Sequence, residues 1–295
     1  MIRPQCIPAP VLHLLIAVFA ALLYANTLPG GFVCDDRGLI LESDRIHSLR
    51  DVPGFFVEPF SEDGRSGSNA GYYRPVVSTS FALDWALGGA GRPWVFHLTN
   101  VLAYAVCAAL VLALAWRVLG DRTAALAAAG LFVALPVHTE TVAWIAGRTD
   151  LLAMVFSCAA ALCLLKARRA DGPTAVAWGG AFACALLAMF SKEVALALLP
   201  TWIAFELTLG RTDRFAAPRA RRLAGAALLA GATVLYLGAR AVALGGVGTT
   251  MAAGNFDPRT PSGLATISMC VFRYLGKLAL PLHLSFGFEL DPLGP

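Results

Sequence analysis

Two adjacent carboxylates, Asp35 and Asp36, follow the first long uncharged stretch of the chain, residues 11–28, and open a polar segment that runs to Pro93. An apolar stretch of that length can cross a bilayer core of roughly 30 Å, which places the pair at or just beyond the membrane surface. A carboxylate there is suited to taking a proton from a hydroxyl group, provided it is held within hydrogen-bonding reach. Adjacent side chains diverge, so one can act while the other orients a partner. Helix capping or a solvated turn uses the same residues without chemistry.

Several further polar groups are out of place in so apolar a chain. Arg74, in Tyr72-Tyr73-Arg74-Pro75, is either a snorkelling arginine in an interfacial aromatic belt or a planar fork offered to an anionic head group. The segment 136–150 holds His138, Glu140, Arg148 and Asp150; as one helix it would put Glu140 and Arg148 on a single face, two turns apart and toward a cavity. Lys192-Glu193 is either a self-satisfying ion pair or a phosphate contact. His97 and Asn100 read as hydrogen bonds between helices. One His and one Glu two residues apart lack the spacing that mounts two imidazoles on zinc, so no metal site is expected, and no cofactor is specified.

The elements that must position these groups are membrane helices. Residues are 58% hydrophobic and only 14% charged, with a mean hydropathy of +0.67, which describes a polytopic all-α membrane protein. The seven cysteines show neither zinc nor disulfide spacing and read as small buried hydrophobes. The arginines are scattered at span ends with no basic groove, which excludes nucleic acid as a partner. Charge-free length gives spans at 11–28, 94–116, 123–137, 151–165, 174–190, 194–209 and 223–239. An eighth segment, 264–280, carries Arg273 and Lys277 on one face, which suits an interfacial helix as well as a crossing. The whole reads as one membrane domain, 1–295, with 29–93 as its first outward loop. Within that loop, 49–60 and 76–87 read as short amphipathic helices lying along the membrane.

Arginines and lysines fall in alternate connections: Arg3, then Arg117 and Arg122, then Lys166, Arg168 and Arg169, then five arginines from Arg211 to Arg222. Those segments, and with them the N-terminus, are expected to be cytoplasmic. Asp35 to Arg92, His138 to Asp150, Lys192-Glu193 and 245–262 then share the periplasmic or lumenal side. Ionisable groups are costly near a bilayer unless paired, hydrated or lining a cavity, so their collection on one side points to a site. A transporter or lipid flippase is the alternative, but a translocation path calls for polar groups at several depths and related halves, which the chain lacks.

In order, Asp35-Asp36, Tyr73-Arg74-Pro75, Phe96-His97-Leu98-Thr99-Asn100-Val101, the run from Pro136 to Leu152 and Lys192-Glu193 resemble the membrane half of the transmembrane O-mannosyltransferases that carry tetratricopeptide repeats. The resemblance covers residues 32–200, and the run from Pro136 to Leu152 is its specific part. It implies a glycosyltransferase of the C-type membrane fold that moves a hexose such as mannose from a polyprenyl-phosphate donor to a protein or glycan hydroxyl on the non-cytoplasmic face. It also implies Asp35 or Asp36 as the base, Arg74, Arg148 and Lys192 as phosphate-binding groups, and His138, Glu140, Asp150 and Glu193 as groups shaping the site. Its members continue past the position of Pro295 into further spans and helical repeats, and no repeat of about 34 residues is visible here. The chain is thus expected to be a truncated product or a short relative.

Overall fold

The computed structural model describes residues 7–60, 72–169, 174–246 and 261–279. Its helices are α1 (Ala9–Leu23), α2 (Val52–Phe55), α3 (Pro75–Asp84), α4 (Pro93–Leu119), α5 (Arg122–Ala134), α6 (Thr139–Ala143), α7 (Arg148–Ala167), α8 (Thr174–Ser191), α9 (Leu198–Leu207), α10 (Arg219–Leu244) and α11 (Pro261–Ala279), joined by single turns of tighter or wider helix. The protein is an all-α polytopic membrane protein; among the described residues the one β contact is a bridge between Phe60 and Tyr72.

Local sequence sets the helix ends. Both α3 and α4 begin on a proline, whose fixed φ suits the first helical turn, where its missing N–H is not needed. Asp121 caps α5 by accepting from the Ala124 N–H at 2.7 Å. Glycines in the left-handed conformation, Gly120 (φ 75°) and Gly245 (φ 71°), close α4 and α10. Helix α1 runs antiparallel to α4, since Tyr24 packs on Tyr104 at one end and His13 on Trp116 at the other.

Alanines line much of the helix–helix contact, and many large apolar side chains face outward. Ala125, Ala129 and Val133 of α5 are fully buried in a cluster with Ala108 and Leu112 of α4 and Leu12, Ile16 and Ala20 of α1. Ala181, Ala185 and Ala188 of α8 do the same against α7 and α10. Leu14, Leu22, Val106, Val234 and Val242 are exposed. Helices in lipid gain little from burying leucine but gain from close approach of their backbones, which this arrangement permits. A third cluster, Leu39, Ile40, Ile46, Phe55, Val77, Phe81 and Phe96, joins the 37–60 segment to α3 and α4.

The spans differ from the count of seven. Among the described residues four helical stretches are long and apolar enough to cross a bilayer: Ala9–Thr27, Pro93–Leu119, Ile145–Ala167 and Arg219–Leu244. The pair Arg122–Ala134 and Pro136–Ala143 meets the same measure of length and composition only when taken together, and it is bent by 50°, as in a broken span or a re-entrant loop. Pro136 causes the bend, because a residue before proline is pushed toward extended backbone, and Leu135 has ψ 124°. The expected span 194–209 is instead a tight turn, Glu193–Ala197, followed by the ten-residue α9, too short to cross alone. Ala175–Ser191 and Gly263–Arg273 are apolar but short. The expected interfacial helix at 76–87 is α3, and its Val77, Phe81 and Ala82 are buried in protein rather than laid on lipid.

Ala185→Leu should therefore destabilise the protein by about 1–3 kcal/mol, because a buried close approach leaves no room for three more carbons. Val176→Leu on the same helix, at 81% exposure, should be neutral. Thermal unfolding of both variants in detergent compares them directly.

Candidate active site

The site forms where the 136–150 segment fails to stay helical. Helix α6 ends at Trp144, whose backbone is extended (φ −85°, ψ 127°), and a tight turn over Ile145–Gly147 leads into α7. Gly147 is needed here, since a Cβ at that position would lie 2.6 Å from the Thr141 carbonyl oxygen. The break leaves backbone groups without helical partners, and two side chains take them up. Asn100 Nδ2, from α4, is shared among the carbonyls of Val142, Trp144 and Ile145 at 3.4, 3.0 and 3.3 Å. The Ala146 N–H donates to Asp36 Oδ1 at 2.9 Å.

That last bond ties the first loop to the start of α7. Asp36 is fully buried, and its Oδ2 accepts from the Val33 N–H at 3.0 Å. Burial pushes its carboxyl up to about 6, against the opposing pull of the two backbone N–H groups; the neighbouring Asp35 charge adds to the rise and Arg148 counters it. Cys34 just before the pair has φ 48°, the left-handed region. Asp35 is exposed, and its carboxylate makes no hydrogen bond or ion pair among the described residues. The two carboxylates therefore separate into an inward anchor and an outward free group.

Arg148 has no exposed surface. Its Nη1 lies 2.6 Å from Asp84 Oδ2 and 3.3 Å from Ser80 Oγ. Its Nε donates to Asn100 Oδ1 and its Nη2 to the Phe96 carbonyl, both at 2.8 Å. The rings of Phe81 and Phe96 flank the guanidinium. Its expected role as a phosphate ligand is corrected: with its donors spent inside the protein and no surface, it joins α3, α4 and α7.

The other predicted groups pair differently from their sequence neighbours. Arg74 grips Glu193 through Nη2 at 2.9 Å and Nε at 3.4 Å, with its guanidinium 4.4 Å from the Tyr72 ring. Burial alone would raise the Glu193 carboxyl, but the hydrogen bond and charge of Arg74, with Lys192 adding to them, hold it below its ordinary value. Lys192 pairs with Asp150 at 2.7 and 2.8 Å. Lys192 and Glu193 thus do not satisfy each other, because extended backbone at Lys192 sends their side chains apart. Tyr73 fixes the base of Arg74: its buried hydroxyl donates to the Phe56 carbonyl at 2.7 Å, and its ring packs on Phe190 and Tyr236. His138 and Glu140 are not brought to Arg148. The His138 ring packs against Phe132 and Tyr104 in the bend, and Glu140 is exposed, so the single-face arrangement expected of a continuous helix is absent.

Sequence reasoning missed Asp84, with Ser80 and Thr99. Asp84 accepts from Thr99 Oγ1 at 2.7 Å besides pairing with Arg148. Its signal was available: an isolated acid in an apolar helix requires a partner. A shallow cleft opens between the 37–60 segment and the start of α3, lined by Leu39, Arg45, Phe55, Glu58, Phe60 and Arg74 among others. Among the described residues no three His, Cys, Asp or Glu side chains converge as a metal cage.

The profile of the dolichyl-phosphate-mannose-protein mannosyltransferase family matches residues 75–237, more than half of the chain and the part that holds Asp84, Asn100, Arg148 and Lys192. The chain belongs to that family. Its relatives include protein O-mannosyl-transferase Tmtc2 of Drosophila melanogaster, 34% identical over 93% of this chain and 30% of the relative. Protein O-mannosyl-transferase TMTC2 of Homo sapiens is 35% identical over 60% of this chain and 22% of its own length. Tmtc1 of Drosophila melanogaster is 38% identical over 47% of this chain and 16% of its own. The chain thus spans under a third of these curated relatives. No solved structure matches it.

Two outcomes follow from the geometry. Arg148→Met leaves the Asp84 carboxylate buried and unpaired and should cost about 3–5 kcal/mol, whereas Arg148→Met with Asp84→Leu should recover much of that loss in chemical unfolding. For Asp36, the folded protein binds a proton up to about pH 6 while the unfolded chain releases it near 3.8. Its stabilising contribution is therefore full below about pH 4 and is lost as pH rises through about 6. The unfolding midpoint of Asp36→Asn relative to the parent should rise across that window and stay level above it.

Proposed function

We propose that the chain carries the donor-binding and catalytic part of a membrane glycosyltransferase, which moves a hexose, mannose by family, from a polyprenyl-phosphate donor to a hydroxyl of a protein acceptor. The names of the curated relatives, all protein O-mannosyl-transferases, support the sugar and the acceptor class. The observation that carries the reading is the bond between the Ala146 N–H and Asp36, which holds the loop bearing the free Asp35 carboxylate against the start of α7. One helical turn on from Asp35, which accepts the Leu39 N–H, Leu39 lines the same cleft as Arg74.

In this reading Asp35 takes the proton of the acceptor hydroxyl as its oxygen attacks the anomeric carbon of the sugar. The bond from that carbon to the phosphate oxygen breaks, and the lipid phosphate leaves with the electron pair. Arg74 meets the charge that develops there, exchanging its bidentate hold on Glu193 for phosphate oxygens of similar geometry, and Lys192 makes the same exchange from Asp150. The two acids keep the cations placed and partly neutral while no phosphate is bound. The prenyl tail stays in lipid, which is the physical reason for building such an enzyme from membrane helices. The arginine-bearing helix ends support a cytoplasmic face opposite the site, and hence a periplasmic or lumenal active face.

Asp35→Asn should lower transfer on the order of 10²–10⁴-fold while leaving helical content unchanged. Membranes holding the full chain, given labelled polyprenyl-phosphate mannose and a protein acceptor, provide the measurement. Full activity in Asp35→Asn would remove the proposed base; no turnover above control membranes by the parent chain would overturn the assignment itself.

A further inference from the structure

The end of the bundle away from Asp36 gathers the end of α4, the start of α5, the end of α7, the end of α9 and the start of α10. Three of its cations cap backbone. Arg214 donates to the carbonyls of Trp116 and Arg117, Arg221 to that of Arg169, and Arg122 to that of Ile7. Arg168 and Arg222 close on Glu206. For Arg214 and Arg221 such caps are the ordinary use of arginine beside helix C-termini. Five more cations, Arg117, Lys166, Arg169, Arg211 and Arg219, are exposed and face no carboxylate among the described residues. Among the described residues, Asp213, exposed, and Asp121, spent as the cap of α5, stand against them.

Capping does not account for the middle of this patch. The Arg168 side chain is 3% exposed and lies against the adjoining rings of Phe205 and Trp202. Its Nη2 reaches Glu206 Oε2 at 3.0 Å and the Gly210 carbonyl at 3.3 Å, but its Nε and Nη1 have no partner. Glu206 Oε1 and Trp202 Nε1, beside it, are also unpartnered. Two guanidinium groups share one carboxylate, which leaves a net positive charge and idle buried donors, an arrangement that is costly unless something supplies oxygen atoms. Arg222 is 27% exposed and opens the cluster to the surface.

We propose that this end binds an anionic phospholipid, its phosphate held by Arg222 and Arg168 where α7, α9 and α10 meet. The surrounding exposed cations draw the charged leaflet to it. The occupant follows from position and charge: the patch sits at the ends of membrane helices, level with lipid head groups, and offers excess positive charge backed by Trp202 and Phe205. Glu206 holds the two arginines parallel and the lipid phosphate completes their shell. The site lies at the opposite end from Asp35 and Arg74 and does not depend on the transfer reaction.

The test is lipid retention by the purified full chain equilibrated with vesicles of equal phosphatidylcholine and phosphatidylglycerol, read by native mass spectrometry. Phosphatidylglycerol should be enriched on the parent, and Arg222→Ala should lower the enrichment on the order of fivefold, as expected for one cation beside an anionic leaflet. A combined Arg169→Ala, Arg211→Ala and Arg219→Ala variant should lower it as well. Circular dichroism verifies folding, and the combined variant, altered only at exposed positions, remains informative if Arg222→Ala does not fold. Equal retention of the two lipids by the parent would overturn the proposal. So would an enrichment that falls only in the combined variant with a folded Arg222→Ala, or one that excess inorganic phosphate abolishes.

Discussion

A guanidinium cannot be taken wholly out of water unless each of its donors finds an acceptor, and Arg148 imposes that demand on three helices at once. Ser80 and Asp84 of α3, and Phe96 and Asn100 of α4, meet it. The same residues then carry further obligations. Asn100 uses its amide hydrogens on the carbonyls bared by the break before α7, and Asp84 uses its second oxygen on Thr99. The break is needed for Arg148 to stand at the start of α7, and Asn100 makes the break tolerable. Cause runs in a closed loop, which is why no member of the group can be changed alone at small cost.

Charge at this end of the molecule divides by depth. Asp36, Asp84 and Arg148 are buried and bound to protein, so they fix geometry. Arg74, Lys192, Glu193 and Asp150 are partly exposed and held in two separate ion pairs that a competing anion can open. Asp35 is both exposed and unengaged. A catalyst acting on a charged lipid head group has use for all three conditions: a rigid frame, cations kept in place until needed, and a base in contact with solvent.

Class and location were legible in the sequence; pairing was not. Long uncharged stretches located the four long membrane helices, because hydropathy reports the solvent of a segment directly, but the same reading took 194–209 for a span where a turn and a ten-residue helix stand. The bend at Pro136 was equally readable, yet helical periodicity was carried across it, and Glu140 and Arg148 were placed on one face that does not exist. The two members of Asp35-Asp36 were indistinguishable by type, since a turn at Cys34 and a bond to a residue 110 positions away decide which points inward. Lys192 and Glu193 illustrate the same limit: opposite charges side by side suggest a pair, but one extended residue hands each to a different partner. Asp84 went unnoticed because a single acid within an apolar helix acquires meaning only with the arginine it neutralises.

The bridge between Phe60 and Tyr72 has a practical corollary. Its N–H to carbonyl bond, 2.8 Å long, clasps the chain immediately ahead of Tyr73 and Arg74. The same two residues lay their rings against the Arg74 guanidinium, so the clasp also sets where that guanidinium sits. Closing a longer connection costs only slowly growing entropy. An insertion between positions 60 and 72 that kept this clasp would keep Arg74 in register, and one that opened it would be felt at the arginine.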